Sequence, residues 1–593
     1  MVKEKKYRIY LVNCLIFLLV LIPVILNSTV IPAGNVSGVW DIAGSPYYID
    51  GEITIQASDQ LEIQPGVDVI FNAHYKLIIY GRIVANGTAA DSISFTPLSS
   101  ATGWHGMRFI NGNLNSLPAS EISFCQFKSG SGMGSGADAN GGAIYCTNTS
   151  NLTIDNSYFG LNYCQWDGGA IYLENGSNVH ITNSIFMQND CGFYGGCLIS
   201  YSSNPVIDGC TFKNNTSSIF AAGVSAWNNS NPEIYNCCFI DNFAGACTGI
   251  YCVNSNIILA NLIMFNNTTN YGSGAAIGIT NCTTQASNIT VADNTSPLSG
   301  GAFWVNGGSL ELHNSILWNN LPEDIFVLSG TANVYNSCIS DGTTGTNVIS
   351  ADPKFVNYAG YDFHLDETSP CIDSGDDSIV PFALPLFDFE GNNRIIDGDL
   401  NGTPEIDMGA YEFVPIVPTG FIAGNVSDID GIPLENAEIT AGTYTATTDS
   451  NGNYSMEVEA GEYTVNCYLA GYQIPDAVNV TVLAGFTMTV DFILEFDVGN
   501  DDIINVSGLT LRGNYPNPFQ SHTTISYSLK QATSVSLEIY NLKGQLIELL
   551  LDENIKAGDH THEWNCQNVQ AGVYFLKMKA GNEESVKKLI LMR

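Results

Sequence analysis

Asp397-Gly-Asp399-Leu-Asn401-Gly402 sets oxygen ligands at alternate positions ahead of a glycine, with Glu405 and Asp407 close behind. A calcium loop begins this way, because the ion gathers several oxygens from a tightly bent chain. The bidentate Glu that closes such a loop is missing, since Met408 holds that place. Asx turns that satisfy their own backbone explain the same string. Asp397, Asp399, Asn401 and Asp407 are therefore candidate ligands, and Ca2+ is the one cofactor the residues suggest.

Acid–base chemistry is poorly supplied. Removing a proton beside a sugar carboxylate needs a base and a cation to neutralise the carboxylate. Between Gly141 and Ser340 the single Lys or Arg is Lys213, while Arg82 and Arg108 lie nearer the N-terminus. Hydrolysis by paired carboxylates needs a facing acid pair. Glu323-Asp324 is one acidic pair, expected in a solvated turn. His180 and His313 share no repeat position, and neither zinc spacing, a nucleophile elbow nor a phosphate loop occurs. The residues favour a non-catalytic protein over a polysaccharide-degrading enzyme. Trp104, Trp166, Trp227 and Tyr201 could stack on sugars or pack inward.

The net charge is −38, unevenly spread. Residues 34–508 hold 49 Asp and Glu against seven Lys and Arg. Such a surface repels nucleic acid, so none is expected as a partner. The N-terminus runs Lys3-Glu4-Lys5-Lys6-Tyr7-Arg8 and then apolar from Ile9 to Leu26. This is the layout of a secretory signal, expected over residues 1–33 with cleavage near Asn27 to Ala33. No later segment is apolar enough to cross a membrane as a helix, so the mature chain should have no such span. Sixteen Cys in an exported chain suggest disulfides. Yet Cys164 and Cys191, or Cys210 and Cys237, fall at repeat-equivalent positions, which reads as stacked buried thiols. A few bridges between neighbouring repeats stay open as the alternative.

Those repeats must position everything else. Gly141-Gly142-Ala143-Ile144, Gly168-Gly169-Ala170-Ile171, Gly195-Gly196-Cys197-Leu198 and Gly300-Gly301-Ala302-Phe303 mark a period of 26 or 27 residues. Within each period an apolar residue precedes an Asn by three: Phe159/Asn162, Phe186/Asn189, Phe212/Asn215, Phe239/Asn242, Met264/Asn267, Val291/Asn294 and Leu317/Asn320. Short alternating runs such as Leu152-Thr-Ile154 separate the marks. Stacked coils of short parallel strands follow, with an inward Phe column and a structural ladder of these seven Asn.

These marks resemble polymorphic outer-membrane passengers and other right-handed parallel β-helix proteins of the pectin-lyase-like fold, over roughly residues 40–350. Gln64-Pro65-Gly66-Val67 and Gly103-Trp104-His105-Gly106 fit the opening coils. Asp352-Pro353, Ser369-Pro370-Cys371 and Asp407-Met-Gly409-Ala410-Tyr411-Glu412 resemble the end of surface-anchored β-helix proteins. That implies a β-helix at 34–352 and a capping, anchor-associated region at 353–414. Residues 418–495, with Thr448-Asp449-Ser-Asn-Gly452-Asn-Tyr454, resemble a carboxypeptidase regulatory-like domain, related to carbohydrate-binding modules. It reads as a small β-sandwich without peptidase zinc residues, serving as spacer or binding module. An acidic linker, 496–508, follows.

Residues 509–593 open on Asn514-Tyr515-Pro516-Asn517-Pro518-Phe519 and close on Lys587-Lys588-Leu589-Ile590. They resemble the type A C-terminal sorting domain of the type IX secretion system. The resemblance implies a second small β-sandwich whose sorting signal includes Tyr515, Pro516, Asn517, Pro518, Phe519, Lys587 and Lys588. It makes the secretion machinery a partner and places the protein outside, secreted or on the outer-membrane surface of a Gram-negative, Bacteroidetes-like bacterium. The reading is an all-β chain, a solenoid followed by two small sandwiches. Its expected role is adhesin-like, glycan-binding or structural, with extracellular glycans or surface proteins as partners. The alternative is a pectate-lyase-like lyase or a glycoside hydrolase.

Overall fold

The computed structural model describes residues 28–112, 117–378, 386–497, 509–567 and 569–592. The basic-apolar leader and most of the linker lie outside them. The chain forms two compact units, Met1–Ile416 and Val417–Arg593.

The first unit is a β-solenoid of about 11 turns. Each turn contributes strands to three parallel stacks. One runs through Ile144–Thr147, Ile171–Glu174, Leu198–Tyr201, Val224–Trp227 and Ile250–Val253. A second runs through Leu152–Asp155, His180–Thr182, Val206–Asp208 and Glu233–Tyr235. A third runs through Tyr158–Gly160, Ile185–Met187, Thr211–Lys213 and Cys238–Ile240. A further six-stranded sheet of very short strands, from Ser131–Gly132 to Thr268–Thr269, bridges the third stack back to the first. Toward the C-terminus the first two stacks fuse into the long strands Ile277–Ser287, Phe303–His313 and Ile325–Tyr335.

Sequence periodicity becomes packing directly. Phe95, Phe127, Phe159, Phe186, Phe212 and Phe239 stack inside the solenoid at centroid separations of 4.6–5.1 Å. At this distance offset rings attract beyond the burial of their area. Three residues on, the Asn side chains form a continuous buried line. Asn189 donates its backbone N–H and its Nδ2–H to Asn215 Oδ1 (2.9 and 3.1 Å), and a second Nδ2–H to the Phe159 carbonyl. The same bonds recur at Asn162, Asn215, Asn242 and Asn267. Asn294 carries the line across the coils that lack Phe: it bonds Asn320 Oδ1 through its N–H (3.0 Å) and Nδ2 (2.8 Å), and Nδ2 also reaches the Met264 carbonyl. Asn162, Asn189, Asn215, Asn242, Asn267, Asn294 and Asn320 are thus joined in one line of hydrogen bonds. The residue before each of these Asn, such as Leu161, Gln188, Asn214 and Asp241, has φ near +55°, which turns the chain so that the amide points inward. The glycine pairs are equally determined. Gly168 sits at φ +72°, and a Cβ on Gly169 would lie 2.1 Å from the Gly196 carbonyl oxygen of the next coil.

Three placements differ from the sequence reading. Thr29–Asn35 is the opening strand of the solenoid, paired in parallel with Tyr47–Ile55, so the fold starts inside the span assigned to the leader. Asp324 is fully buried rather than in a solvated turn, because it terminates the Asn ladder. The segment expected to cap the solenoid lies along its flank. Asn261 Nδ2 donates to the Phe387 carbonyl, Asn288 Nδ2 to the Asp407 carbonyl and Asn314 Nδ2 to the Asp376 carbonyl. These three Asn hold the left-handed turns of successive coils, which leaves their amides pointing outward for the flanking chain to use.

The second unit contains two small β domains. Residues 419–494 form two four-stranded sheets around Ile422, Val426, Ile439, Val465 and Phe492. Residues 509–591 form a three-stranded and a four-stranded antiparallel sheet around Ile525, Leu537, Trp564, Leu576 and Leu589. Among the described residues fifteen cysteines are free thiols, all buried except the partly exposed Cys238.

Candidate functional site

Strand alternation fixes what the first stack shows to the outside. Ile144, Ile171, Leu198, Val224 and Ile250 point into the core, so the residue after each points out. The outward column reads Arg108, Tyr145, Tyr172, Ile199, Ser225, Tyr251, Gly278 and Trp304. Chain returning from the third stack partly covers it. Tyr194 packs on Trp227 at 4.9 Å and Phe220 on Tyr251 at 4.6 Å, so the column becomes an aromatic layer. Its rim is open: Trp166 is 36%, Tyr201 40% and Phe193 41% exposed.

Carboxylates accompany this layer, with the Arg108 guanidinium 5.8 Å from the Tyr145 ring centroid at its N-terminal end. Tyr145 Oη donates to Glu174 (2.5 Å), and Asp167 accepts the Tyr194 N–H (3.1 Å). Burial pushes the Asp167 carboxyl up to about 6, with only the Tyr194 amide opposing it. Of the four aromatics that could stack on sugars or pack inward, Trp166 and Tyr201 stand on the rim. Trp227 is half-buried within the layer. Trp104 is wholly in the core, stacked on Phe71 at 4.4 Å.

At the N-terminal end of the column the structure gathers basic groups that sequence spacing scattered. Lys76 Nζ bonds both oxygens of Asp138 at 3.0 Å. His105 Nε2 lies 3.0 Å from the Asp138 carbonyl, and the His74 and His105 rings are 4.4 Å apart. Burial, reinforced by Arg108, holds His105 near 3, so it stays neutral. Arg108 is buried, with Nη1 on the Asn140 and Gly141 carbonyls and its Nε and Nη2 unbonded. The glycine-rich run Gly132–Asn140, which carries Asp138, brings this set together. Only its coil insertion hinted at that in the sequence. Arg82 is spent on Gln60, Glu121 and the Ala119 carbonyl, and Lys213 sits 3.9 Å from Asp241.

On the flanking segment, carboxylate oxygens of Asp373, Asp397 and Asp399 lie within 4.8 Å of one another. Asp397 Oδ1 is buried without a partner, while its Oδ2 accepts the Gly402 N–H. Asp373 was not singled out by spacing, since it lies 24 residues before Asp397. The other two candidate ligands turn elsewhere. Asn401 donates to Asp399, and buried Asp407 accepts the Asp373 and Phe413 N–H groups. Nearby, Arg394 and Glu412 form a buried ion pair at 2.6 Å.

In the last domain Phe519 is buried, and its N–H donates to the Ile590 carbonyl. Asn517 clasps the same strand, its Nδ2 on the Lys588 carbonyl and its Oδ1 accepting the Ile590 N–H. The strand therefore ties the Asn-Pro-Phe opening to the C-terminal Lys587-Lys588 run. The Pro516 carbonyl accepts from Asn514 Nδ2 and Thr523 Oγ1, which fixes the turn. The side chains of Tyr515, Pro516, Pro518, Lys587 and Lys588 remain exposed.

Residues 514–592 match the secretion system C-terminal sorting domain family. This domain is a sorting domain. It indicates type IX secretion, to the outside or the cell surface, in Bacteroidetes. Residues 422–495 match the carboxypeptidase regulatory-like domain, and residues 103–281 the right-handed β-helix region. Among the described residues no helix is long and apolar enough to cross a membrane.

Two curated relatives are similar over short stretches. Structural protein 27 of a virus (isolate Australia/Victoria) is 38% identical over 12% of this chain and 14% of its own length. S-layer protein B of Metallosphaera sedula is 27% identical over 23% of this chain and 35% of its own length. The chain thus spans well under half of either. Similar solved structures include a DUF3823 family protein from Bacteroides ovatus, 16% identical, covering 30% of this chain and all of that one at a TM-score of 0.14. BcpA, the major pilin subunit of Bacillus cereus, is 11% identical over 29% of this chain and 69% of that one, at 0.13.

Proposed function

We propose that the sorted protein acts at the cell surface as a non-catalytic, adhesin-like structural protein whose solenoid binds neutral glycans. The observation that carries this is the aromatic rim of Trp166, Phe193 and Tyr201 over a column rich in Tyr, flanked by Glu174 and Asp167 and lacking cations beyond Arg108. Sugar rings stack on such faces, and Asp167 and Glu174 can accept hydroxyl hydrogen bonds. A uronate polymer would meet negative charge there. The names of the two curated relatives, a structural protein and an S-layer protein, favour a structural role over an enzymatic one.

A second reading, a polysaccharide-degrading enzyme, rests on the Lys76, His105, Arg108 and Asp138 cluster. Against it, His105 is tied to a carbonyl and Arg108 is closed off. We also propose that Asp373, Asp397 and Asp399 take up Ca2+, supported by the orphaned Asp397 oxygen.

The test incubates the chain with neutral and acidic polysaccharides, with calcium or with chelator, and follows retention and chain length together. Retention of neutral glycans, lost in Trp166→Ala/Tyr201→Ala, is expected. Shortened products would replace this reading with the enzymatic one. Retention of acidic glycans alone would move the site to the basic cluster.

A further inference from the structure

Within the first unit, the flanking placement of residues 353–414 leaves the far end of the solenoid partly uncovered. The closing strand, Ile325–Tyr335, pairs on its inner side with Phe303–His313. On its outer side residues 346–349 cover only the stretch from Val334 onward, and Asp341 takes the Ile325 N–H. From Phe326 to Asn333 no described strand pairs with the outer edge. This stretch contains no Lys, Arg, Asp, Glu or Pro, the residues that usually blunt an open edge. Val327 is 39% and Leu328 59% exposed. Two register irregularities between Val327 and Thr331, at Leu328 and around Gly330, break the edge into two runs, one in each of the fused stacks.

Among the described residues the opposite end is open as well. Thr29–Asn35 pairs only with Tyr47–Ile55, and Gly38–Trp40 only with Gln60–Ile63. In the second stack Val39 is 56% exposed. Neither strand holds a charged residue, and the proline of the first, Pro32, precedes the Gly34–Asn35 stretch that lies in the first stack.

We propose that these two ends bind each other between copies, so that a second copy of this chain docks head to tail and continues the solenoid. The occupant follows from register. Successive pairings put Gly34 and Asn35 in the same columns as Ile325 and Phe326. Gly38 and Val39 likewise share columns with Ala332 and Asn333. The two runs of the closing strand thus face the two strands of the opening end, as each coil faces the next within the chain.

Donor direction agrees. In the column of Val39, Val206 N–H donates back to the Val179 carbonyl of the preceding coil. In the column of Ala332, Ser120 N–H donates forward to the Asn151 carbonyl of the following one. Docking therefore lets Val39 N–H of the second copy reach the Ala332 carbonyl, and Ala332 N–H reach the Ser37 carbonyl of the second copy. Such a contact is heterologous and does not close, so it makes linear chains. The third stack is blocked at the closing end by residues 346–349, which limits the contact to two stacks. Mutual repulsion of the acidic bodies makes it stronger as salt rises.

The test is sedimentation velocity on the chain from Ser28 onward, across a wide concentration range at low and high salt. Mass rising with concentration, and more steeply in salt, is expected. Val39→Pro and Ala332→Pro each remove one outward N–H at an edge position, which a solenoid tolerates. Unchanged melting shows that both variants fold. Each variant alone should be monomeric, while their equimolar mixture forms one discrete dimer, because each retains the end the other lacks. A wild-type chain monomeric under all conditions overturns the proposal. So does a Val39→Pro chain that still associates alone, which would mean a symmetric contact or a different surface. Glycan retention is measured separately, so failure here leaves the binding reading standing.

Discussion

Asn320 and Asp324 meet where the buried amide ladder stops: Asn320 donates both its backbone N–H (3.3 Å) and its Nδ2–H (2.8 Å) to Asp324 Oδ1. Asn294, one rung earlier, makes the same pair of bonds to the Asn320 amide oxygen. A ladder of amides always leaves its last member without a following oxygen, and here a carboxylate supplies it. The other oxygen, Oδ2, accepts from Ser340 N–H, Ser340 Oγ and Asp341 N–H. Asp324→Ala strands all five donors. We expect about 2–4 kcal/mol of destabilisation, localised to the last coils. Hydrogen exchange should rise in residues 303–340 and stay unchanged before Gly249.

The ladder's interior is predicted to be more sensitive than its flanks. Asn242→Ala removes the acceptor for Asn215 N–H and Nδ2, and the donor to the Phe212 carbonyl, all in a fully enclosed place. A loss of about 3 kcal/mol is expected. The exposed Asn204→Ala, whose side-chain oxygen accepts from Asn231 alone, should cost well under about 1 kcal/mol. Denaturant melts of the two variants side by side measure the contrast.

Asp167 makes stability depend on pH. Its folded value, raised from 3.8 to about 6 by burial, exceeds its unfolded one. The folded state therefore binds the proton more tightly, and the contribution is complete below pH 4 and lost as pH rises through 6. Stability of the wild type relative to Asp167→Asn should fall by roughly 1–3 kcal/mol across that window. Parallel curves for the two proteins would contradict the assignment.

The thiols give a count. Cys164 with Cys191, and Cys210 with Cys237, are neighbours across coils yet remain reduced in the structure. Burial raises Cys125, Cys146 and Cys247, so folded thiols should resist alkylation. Unfolded without reductant, the chain from Ser28 should take up fifteen alkyl groups by mass. Any deficit in steps of two would reveal bridges between coils.

Much of the architecture was legible because each repeat writes the same physics in place. Phe159 and Asn162 are three apart, as are Val291 and Asn294 in a coil without Phe, and the chain between them can only turn one way. The sorting domain was legible through its resemblance to a known family, and two of the motif residues, Asn517 and Phe519, bond directly to the strand at Ile590. What spacing could not carry was contact across long separations. Asp373 reaches Asp397 only because residues 386–413 fold back beside the coils, and Asp138 reaches Lys76 only through a glycine-rich insertion. Asp324 looked solvated because nothing local announces that it ends a ladder begun at Asn162. Whether Trp104 packs inward or faces out stayed open because one aromatic in an opening coil carries no sign of which way its strand faces.

The ladder also makes length a quantity that evolution can change one unit at a time. Every Asn meets only its counterparts one rung away, so deleting residues 216–242 would bring Asn215 against Asn267 with the same amide geometry. Each such edit would shorten the rod by about 4.8 Å, the spacing of paired strands, and disturb nothing beyond its neighbours. A population bearing different rung numbers would then carry the same end chemistry at graded separations along the solenoid, with no new fold to invent.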